Sequence, residues 1–239
     1  MDTPKSSSRV RLVETAERLI AQRGVHGVSL REIAAEAGQR NTGAVRYHFG
    51  SKQALVAAIF EHRMAPINAR RMELITELDD QGRAHDPYAL AEAFVVPLSE
   101  ILDRPGRTSW YLRFCVQARY TVEPGTTVLN REGVGVRPWT KGLVILHDRA
   151  MRLLAGLPEQ LRVERWARFS GSPVHALADH ELRLEAADAQ GADSFGLLVS
   201  DLVDTSVAVL TAPVRPATLR LVGQTNATPM PSAQGFSPT

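Results

Sequence analysis

A chain of 239 residues is long enough for one large or two modest domains with a buried core. Its net charge of +2 does not by itself indicate nucleic-acid binding, and a single cysteine excludes an internal disulfide. No apolar run reaches the roughly 18 residues of a membrane span, and the polar N-terminus lacks the apolar stretch of a signal peptide. We therefore expect a cytoplasmic protein with no membrane contact.

The N-terminal segment is predicted to be a short arm followed by an amphipathic helix. Residues 1–8 are polar and are expected to be disordered. From Arg9 to Arg23, apolar residues recur at helical spacing with charges opposite, and Gly24 is expected to end the helix. Residues 1–52 carry nine Lys or Arg and five Asp or Glu, a net charge of +4 that leaves −2 for the rest of the chain. This modest bias favours an acidic partner for the N-terminal part.

The next stretch has the pattern of two short helices joined by a tight turn. Ser29 lies three residues before Glu32, which is the form of a capping box at a helix N-terminus. Gly38 is expected to end this helix in a left-handed conformation, and Asn41 or Thr42 to cap the next one. The second helix has room for about two turns, and such a pair is typical of a helix-turn-helix whose second helix enters the major groove.

The second short helix is expected to end at Gly50, and Ser51 to cap a longer helix. The run Ser-Leu-Arg-Glu-Ile-Ala-Ala-Glu-Ala-Gly at 29–38 and the run Tyr-His-Phe-Gly-Ser-Lys at 47–52 closely resemble the TetR (tetracycline-repressor-like) family of bacterial transcriptional regulators. The connection after the first run is one residue longer than is usual in that family. The resemblance covers about the first quarter of the chain, and elsewhere only the helical character and the length agree with it.

Ten residues are predicted to contact DNA. Each alone has the character of an ordinary surface residue, but on and around a helix too short to be stable by itself they indicate one donor-rich face. Arg46 has the geometry to bind a guanine edge, and the residues at the two helix starts suit phosphate. The resemblance implies that Tyr47, His48 and Lys52 clamp backbone phosphates. The full set is Ser29, Arg31, Arg40, Asn41, Thr42, Gly43, Arg46, Tyr47, His48 and Lys52.

The rest of the chain is predicted to be a larger helical bundle, so that the fold is all-α. The predicted domains are a DNA-binding domain over 9–52, a ligand-binding and dimerisation domain over 53–211, and a disordered, proline-rich tail over 212–239. Pro66 is expected to kink or split a long helix that runs from Ser51. Further helices are predicted over 87–102, 109–120, 140–154, 158–169, 174–185 and 194–211, with a loop over 126–138 and a break at 171–173.

The helix over 194–211 is apolar on more than one face, which predicts a homodimer through the last two helices. The resemblance implies a palindromic double-stranded DNA operator and release of a repressor by a small-molecule effector. Trp110, Phe114, Trp139 and His147 are the candidate ligand-binding residues. The same aromatic residues fit an ordinary packed core, and the sequence leaves both interpretations open.

Two alternatives remain at this stage. One is a DNA-binding dimer that responds to no small molecule. The other is an all-helical metal phosphohydrolase of the HD type, because His85-Asp86 and His147-Asp148 are adjacent His-Asp pairs. Neither pair has a wider ligand pattern around it, and no GxSxG, phosphate-binding loop or HExxH motif is present. We therefore predict no enzyme activity, no catalytic residue, no metal and no cofactor.

Overall fold

The computed structural model describes residues 4–39, 41, 43–102, 109–119, 137–186 and 194–227. Within these ranges the chain folds into ten α-helices and one 3₁₀ turn, with no strand, which confirms the predicted all-α fold with a helix-turn-helix at its N-terminus. The helices are α1 (Pro4–Arg23), α2 (Leu30–Glu36), α3 (Ala44–Phe49), α4 (Lys52–Asp80), α5 (Pro87–Ser99), α6 (Tyr111–Ala118), α7 (Lys141–Leu153), α8 (Glu159–Ala186), α9 (Phe195–Thr211) and α10 (Pro216–Ala227). The 3₁₀ turn Pro138–Thr140 leads into α7.

The N-terminal arm is shorter than the sequence indicates. Helix α1 begins at Pro4, so residues 4–8, which we placed in a disordered arm, are helical, and residues 1–3 lie outside the described ranges. A proline suits the first turn of a helix because its missing N–H would have no partner there. The end of the helix agrees with the prediction, since Gly24 has a positive φ of 75° and its N–H donates to the carbonyl of Ile20.

Internal prolines do not divide the two long helices. Helix α4 continues through Pro66 for 29 residues, so it is not split there, and the other predicted outcome, a kink, stays a prediction. Helix α8 continues through Pro173 for 28 residues, which corrects the predicted break at 171–173. A proline removes one helical hydrogen bond. Burial outweighs that loss in α8, because Phe169 and Leu177 on either side of Pro173 are completely buried.

The C-terminal segment also differs from its prediction. A helix, α10, occupies 216–227 of the range that we expected to be disordered, and residues 228–239 lie outside the described ranges. Pro216 stands at the first helical position, where it favours a helix rather than preventing one. The predicted loop over 126–138 lies mostly outside the described residues, and only its end at the 3₁₀ turn is seen.

The head of the molecule, formed by α1 to α3, is joined to the body by two helices. Helix α1 packs against α6 and α4, and α4 itself runs from the head into the body. In the body, α5 packs against α9, and α6 packs against α8. The carboxylate of Glu181 on α8 accepts hydrogen bonds from the backbone N–H groups of Leu112 (3.4 Å) and Arg113 (3.0 Å), so a neighbouring helix caps the start of α6.

Helices α4 and α7 approach each other closely at Gly142. The Asn68 side chain accepts a hydrogen bond from Gly142 N–H (2.8 Å) and donates one to the Pro138 carbonyl (3.1 Å). A Cβ atom at position 142 would lie 2.8 Å from Asn68 Oδ1 and 2.9 Å from Arg71 Cδ. The absence of a side chain at Gly142 thus permits this contact.

Among the described residues, no single helix has the length and apolar character needed to cross a membrane. Helix α9 and the first part of α10 reach that composition only as a pair, and they are bent by 66° relative to each other.

We predict that Gly142→Ala lowers the free energy of unfolding by about 1–3 kcal/mol, since the new methyl group overpacks a closed contact. Urea unfolding followed by circular dichroism measures this. Gly156→Ala is the matched control, because a Cβ there would meet nothing within 4 Å and the residue has no positive φ. Equal midpoints for the two variants would contradict the packing described for α7.

Candidate nucleic-acid interface

The start of α2 has the predicted capping box. The hydroxyl of Ser29 accepts a hydrogen bond from the N–H of Glu32 (3.1 Å), and the Glu32 carboxylate accepts one from the N–H of Ser29 (3.3 Å). Gly38 then ends the helix with a φ of 69°, and the N–H of Gln39 donates to the Ala34 carbonyl (2.9 Å). Ser29 and Arg31 are exposed at the beginning of this helix, as phosphate contacts require.

The turn between α2 and α3 is built differently from the prediction. The N-cap of α3 is Gly43, which has no side chain, rather than Asn41 or Thr42. Asn41 stabilises the turn before the N-cap, because its Oδ1 accepts a hydrogen bond from Gly43 N–H (2.8 Å). A short polar side chain that bonds to the backbone two residues later is typical of such a turn. Arg40 and Thr42 lie outside the described residues, so their predicted DNA contacts stay predictions.

Helix α3 separates a packed face from an exposed face. Val45 is completely buried, and Phe49 packs partly against the core with the Arg9 guanidinium 5.2 Å from its ring centroid. On the other face Arg46 is exposed and Tyr47 is 75% exposed. The half-buried His48 ring meets Tyr47 edge-on at 5.2 Å. A six-residue helix that is packed on one face thus exposes an arginine and a tyrosine on the other.

The two carboxylates of α2 are neutralised by α1. Arg23 contacts Glu32 at 2.6 Å and Arg18 contacts Glu36 at 2.7 Å. The hydrogen bond from Arg23 lowers the pKa of the Glu32 carboxyl. Each pair is partly exposed, so its contribution to stability is small. Both carboxylates of α2, the helix that also carries Arg31, are thus paired with arginines of α1.

Lys52, predicted as a phosphate contact, also has a structural role that the sequence does not reveal. Its ammonium group donates a hydrogen bond to the carbonyl of Val28, which immediately precedes the N-cap of α2. Burial lowers the pKa of this amine, although nearby Glu32 acts in the opposite direction. An ammonium group has three donors, so one bond to the backbone leaves donors for an anion. Lys52 therefore joins the starts of α2 and α4 next to the exposed Ser29.

The four predicted ligand-binding residues have different immediate surroundings. Trp110 lines a cleft of about 370 Å³ between α1, α4 and α6, which is partly open to solvent. Phe114 is fully buried and packs on Phe60 (5.0 Å between ring centroids). Trp139 lies in the 3₁₀ turn beneath the Arg137 guanidinium, and His147 packs edge-on against Trp166 at 5.2 Å. Ligand binding by these four residues stays a prediction.

The same cleft contains a charged pair that the sequence analysis missed. Arg63 on α4 donates two hydrogen bonds to Glu17 on α1, at 2.6 Å and 2.9 Å, and the Glu17 side chain is only 1% exposed. Burial raises the pKa of Glu17, and the hydrogen bonds to Arg63 oppose that rise. Nothing in the local sequence distinguishes Glu17 from the solvent-facing charges of an amphipathic helix. The partner, 46 residues away, is visible only in the fold.

The His-Asp pairs have local structural roles. Asp86 caps α5 by accepting a hydrogen bond from Tyr88 N–H (2.9 Å), and it pairs with Arg83 at 2.7 Å. His147 lies 3.3 Å from Asp148, and its ring contacts Trp166. Among the residues that the structure describes, no group of three or more His, Cys, Asp or Glu side chains is placed to hold a metal ion.

Comparison with known proteins finds a family that the N-terminal part of the chain is similar to. Residues 12–59 match the sequence model of the family described as bacterial regulatory proteins, tetR family. Among solved structures, the TetR family transcriptional regulator PfmR from Thermus thermophilus matches with 15% identity and a TM-score of 0.44. That match covers 90% of this chain and 100% of the other. No curated protein matches the chain in sequence.

We predict that Arg46→Ala and Lys52→Ala weaken DNA binding in different ways. Loss of Arg46 removes a base contact of about 1–3 kcal/mol and relaxes the preference at one position of each half-site. Loss of Lys52 lowers affinity for all sequences alike, because a phosphate contact carries no sequence information. Selection of bound sequences from random DNA with each variant measures the difference.

Arg168→Ala, which removes an exposed arginine of α8, is the control and should leave both properties unchanged. An unaltered binding motif for Arg46→Ala would show that Arg46 does not read bases. Because Lys52 also bonds to Val28, circular dichroism must show that its variant keeps the native helix content.

Proposed function

We propose that this chain, whose residues 12–59 match the model of the tetR family of bacterial regulatory proteins, is a DNA-binding transcriptional repressor. In this proposal a homodimer binds a palindromic operator, and a small-molecule ligand releases it. The observation that carries the DNA-binding part is the exposed Arg46 and Tyr47 on a helix whose other face is packed through Val45.

The size of α3 supports a dimer. Six residues at about 1.5 Å per residue form a helix of roughly 9 Å, which contacts only a few base pairs. Two copies related by a two-fold axis read two half-sites, and the operator then has the same symmetry as the protein. A palindrome is therefore the target that such a dimer selects.

Helices α8 and α9 supply a suitable surface for the second copy. They pack against each other, and both expose leucine side chains. Leu197 on α9 is 73% exposed, and Leu182 and Leu184 on α8 are 52% and 43% exposed. Apolar side chains grouped on neighbouring helices favour a protein partner over water. We therefore assign the dimer contact to the outer face of α8 and α9.

The contacts that join the head to α4 and α6 of the body support the proposed response to a ligand. Helix α1 of the head packs against α6, and the Glu17–Arg63 pair joins it to α4. A displacement of α4 or α6 within the body is thus transmitted to the head, because packed helices shift as rigid units. A ligand that binds one arrangement better than the other changes the spacing of the two heads and hence the affinity for the operator.

Selection from random DNA with the purified protein tests the DNA-binding proposal. We expect a palindromic motif with two equal half-sites. Raising salt from about 50 to about 200 mM should weaken binding by a factor of about 10³ if roughly six phosphates are contacted per dimer. A motif without two-fold symmetry, or an affinity that does not change with salt, would contradict the proposal.

Leu197→Asp tests the dimer contact separately from folding. Leu197 is largely exposed within one subunit, so an aspartate there costs little in the monomer but places an unpaired charge in the proposed interface. We expect a folded monomer by analytical ultracentrifugation, with operator binding lost. Leu153→Asp, at a 41% exposed leucine of α7, is the matched control and should remain dimeric. A dimeric Leu197→Asp variant would place the interface elsewhere.

A further inference from the structure

The body contains a buried guanidinium group whose hydrogen-bonding capacity is mostly unused. Arg71 on α4 is 0% exposed, and it is among the largest fully buried side chains of the protein. Its Nε donates to the Ala93 carbonyl on α5 at 3.1 Å. Its two terminal nitrogens, Nη1 and Nη2, are buried and have no hydrogen-bond partner among the residues that the structure describes. Such a group is costly to bury unless something binds it.

The side chain is held in place by three helices. Its carbon stem touches α7 at Gly142, where a Cβ would lie 2.9 Å from Arg71 Cδ. Its guanidinium carbon lies 5.7 Å from the centroid of Phe94 on α5. Packing thus fixes the stem and leaves the fork of the guanidinium unpaired. A preorganised donor pair loses little entropy when it binds a planar anion.

No carboxylate of the described residues balances this charge. Arg63 and Arg113 are also largely buried, but they pair with Glu17 and Glu181. Among the described residues, the electrostatic interaction that opposes the effect of burial on the pKa of Arg71 is with the phenol of Tyr111, whose own pKa burial raises well above its ordinary value. Burial lowers the pKa of Arg71 to about 10, so the guanidinium remains a cation at neutral pH. In the 370 Å³ cleft, in contrast, the charge of Arg63 is compensated by the carboxylate of Glu17.

We propose that the effector of this regulator is a small organic carboxylate, which forms two hydrogen bonds with Nη1 and Nη2 of Arg71. This inference rests on the ligand response proposed above. A carboxylate matches both the single positive charge and the fork geometry of the guanidinium. A dianionic phosphate would leave a second negative charge without a described partner.

The surroundings of Arg71 indicate an apolar body for this ligand. Phe94 lies against Arg71 and also contacts Phe169 (5.2 Å) and Trp166 (6.4 Å). His147, a predicted ligand-binding residue, contacts the same Trp166. An alkyl or aromatic carboxylate places its charged end at Arg71 and its apolar part against this aromatic cluster.

The position of Arg71 also links such a ligand to the head. Arg71 and Arg63 lie on the same helix, eight residues and therefore about 12 Å apart. A carboxylate that draws α4, α5 and α7 together at Arg71 acts on the helix that holds α1 through the Glu17–Arg63 pair. The arginine proposed to bind the ligand and the arginine that pairs with α1 of the head thus belong to one helix.

The first test uses the full-length wild-type protein and matched pairs of probes. Sodium phenylacetate, benzoate, hexanoate and octanoate are compared with their neutral primary amides by thermal unfolding at equal millimolar concentrations. We expect at least one carboxylate to raise the unfolding midpoint while its amide does not, because ligands that bind only the folded state stabilise it. Equal shifts for acid and amide, or no shift with any carboxylate, would overturn the proposal.

The second test uses Arg71→Met, with Arg70→Met as the control. Arg70 is the exposed neighbour that pairs with Glu100. We expect Arg71→Met to weaken carboxylate binding by about 100-fold or more, as loss of one partner of a buried charged hydrogen bond does. It should also raise the unfolding midpoint of the ligand-free protein, because it removes an uncompensated buried charge. Retained carboxylate affinity in Arg71→Met would overturn the proposal. If the variant does not fold, the comparison of acids with amides on the wild-type protein tests the proposal instead.

Operator binding distinguishes this inference from the proposed function. We expect the active carboxylate to lower wild-type operator affinity by about 5- to 150-fold, and operator to lower carboxylate affinity by the same factor. Operator affinity unchanged by a carboxylate that binds at Arg71 would overturn its role as effector and leave the DNA-binding proposal intact. A protein that selects no operator would overturn the proposed function by itself.

Discussion

The arrangement of the whole molecule depends on helix α1 being packed on both sides. One side of α1 forms the core of the head with α2 and α4, and the other side rests on α6 of the body. The Glu17–Arg63 pair joins α1 to α4, and its carboxylate is almost completely buried. If the two helices move apart, the buried carboxylate loses its partner and its charge is no longer compensated. Intermediate positions of α1 relative to α4 are therefore unfavourable. Head and body are therefore expected to move between discrete arrangements rather than to drift.

The head was largely predictable because its signals are local. The capping box of Ser29 and Glu32 and the positive φ of Gly38 follow from residues only a few positions apart. Some of the errors concern Pro66, where a split was one of two predicted outcomes, and Pro173, where a break was predicted. A proline removes one hydrogen bond from a helix, whereas the burial of neighbouring side chains depends on distant parts of the chain. The long helices α4 and α8 could be recognised as continuous only in the folded structure.

The exposure of the candidate site was predictable to a similar degree and for the same reason, whereas its contacts with DNA stay predictions. The exposed face of α3, with Arg46 and Tyr47, follows from helical periodicity over six residues. The bond between Lys52 and Val28 spans 24 positions, and the sequence carries no sign of it. The aromatic residues of the sequence indicated candidate ligand-binding positions, but the sequence does not show which aromatic side chains contact one another in the fold. Arg71 was missed because a buried arginine and an exposed one have the same place in an amphipathic pattern.

Cys115 provides the protein with its own site for chemical labelling. It is the single cysteine of the chain, it is half-buried on α6, and its thiol shares a hydrogen bond with Tyr111. Burial raises the pKa of this thiol well above its ordinary value, and the charges of Glu17 on α1 and Glu181 on α8 act in the same direction. Only the thiolate reacts with alkylating reagents, so modification is slow while α1, α6 and α8 stay together. The alkylation rate of this one native sulfur atom is thus expected to rise when the contact between head and body opens.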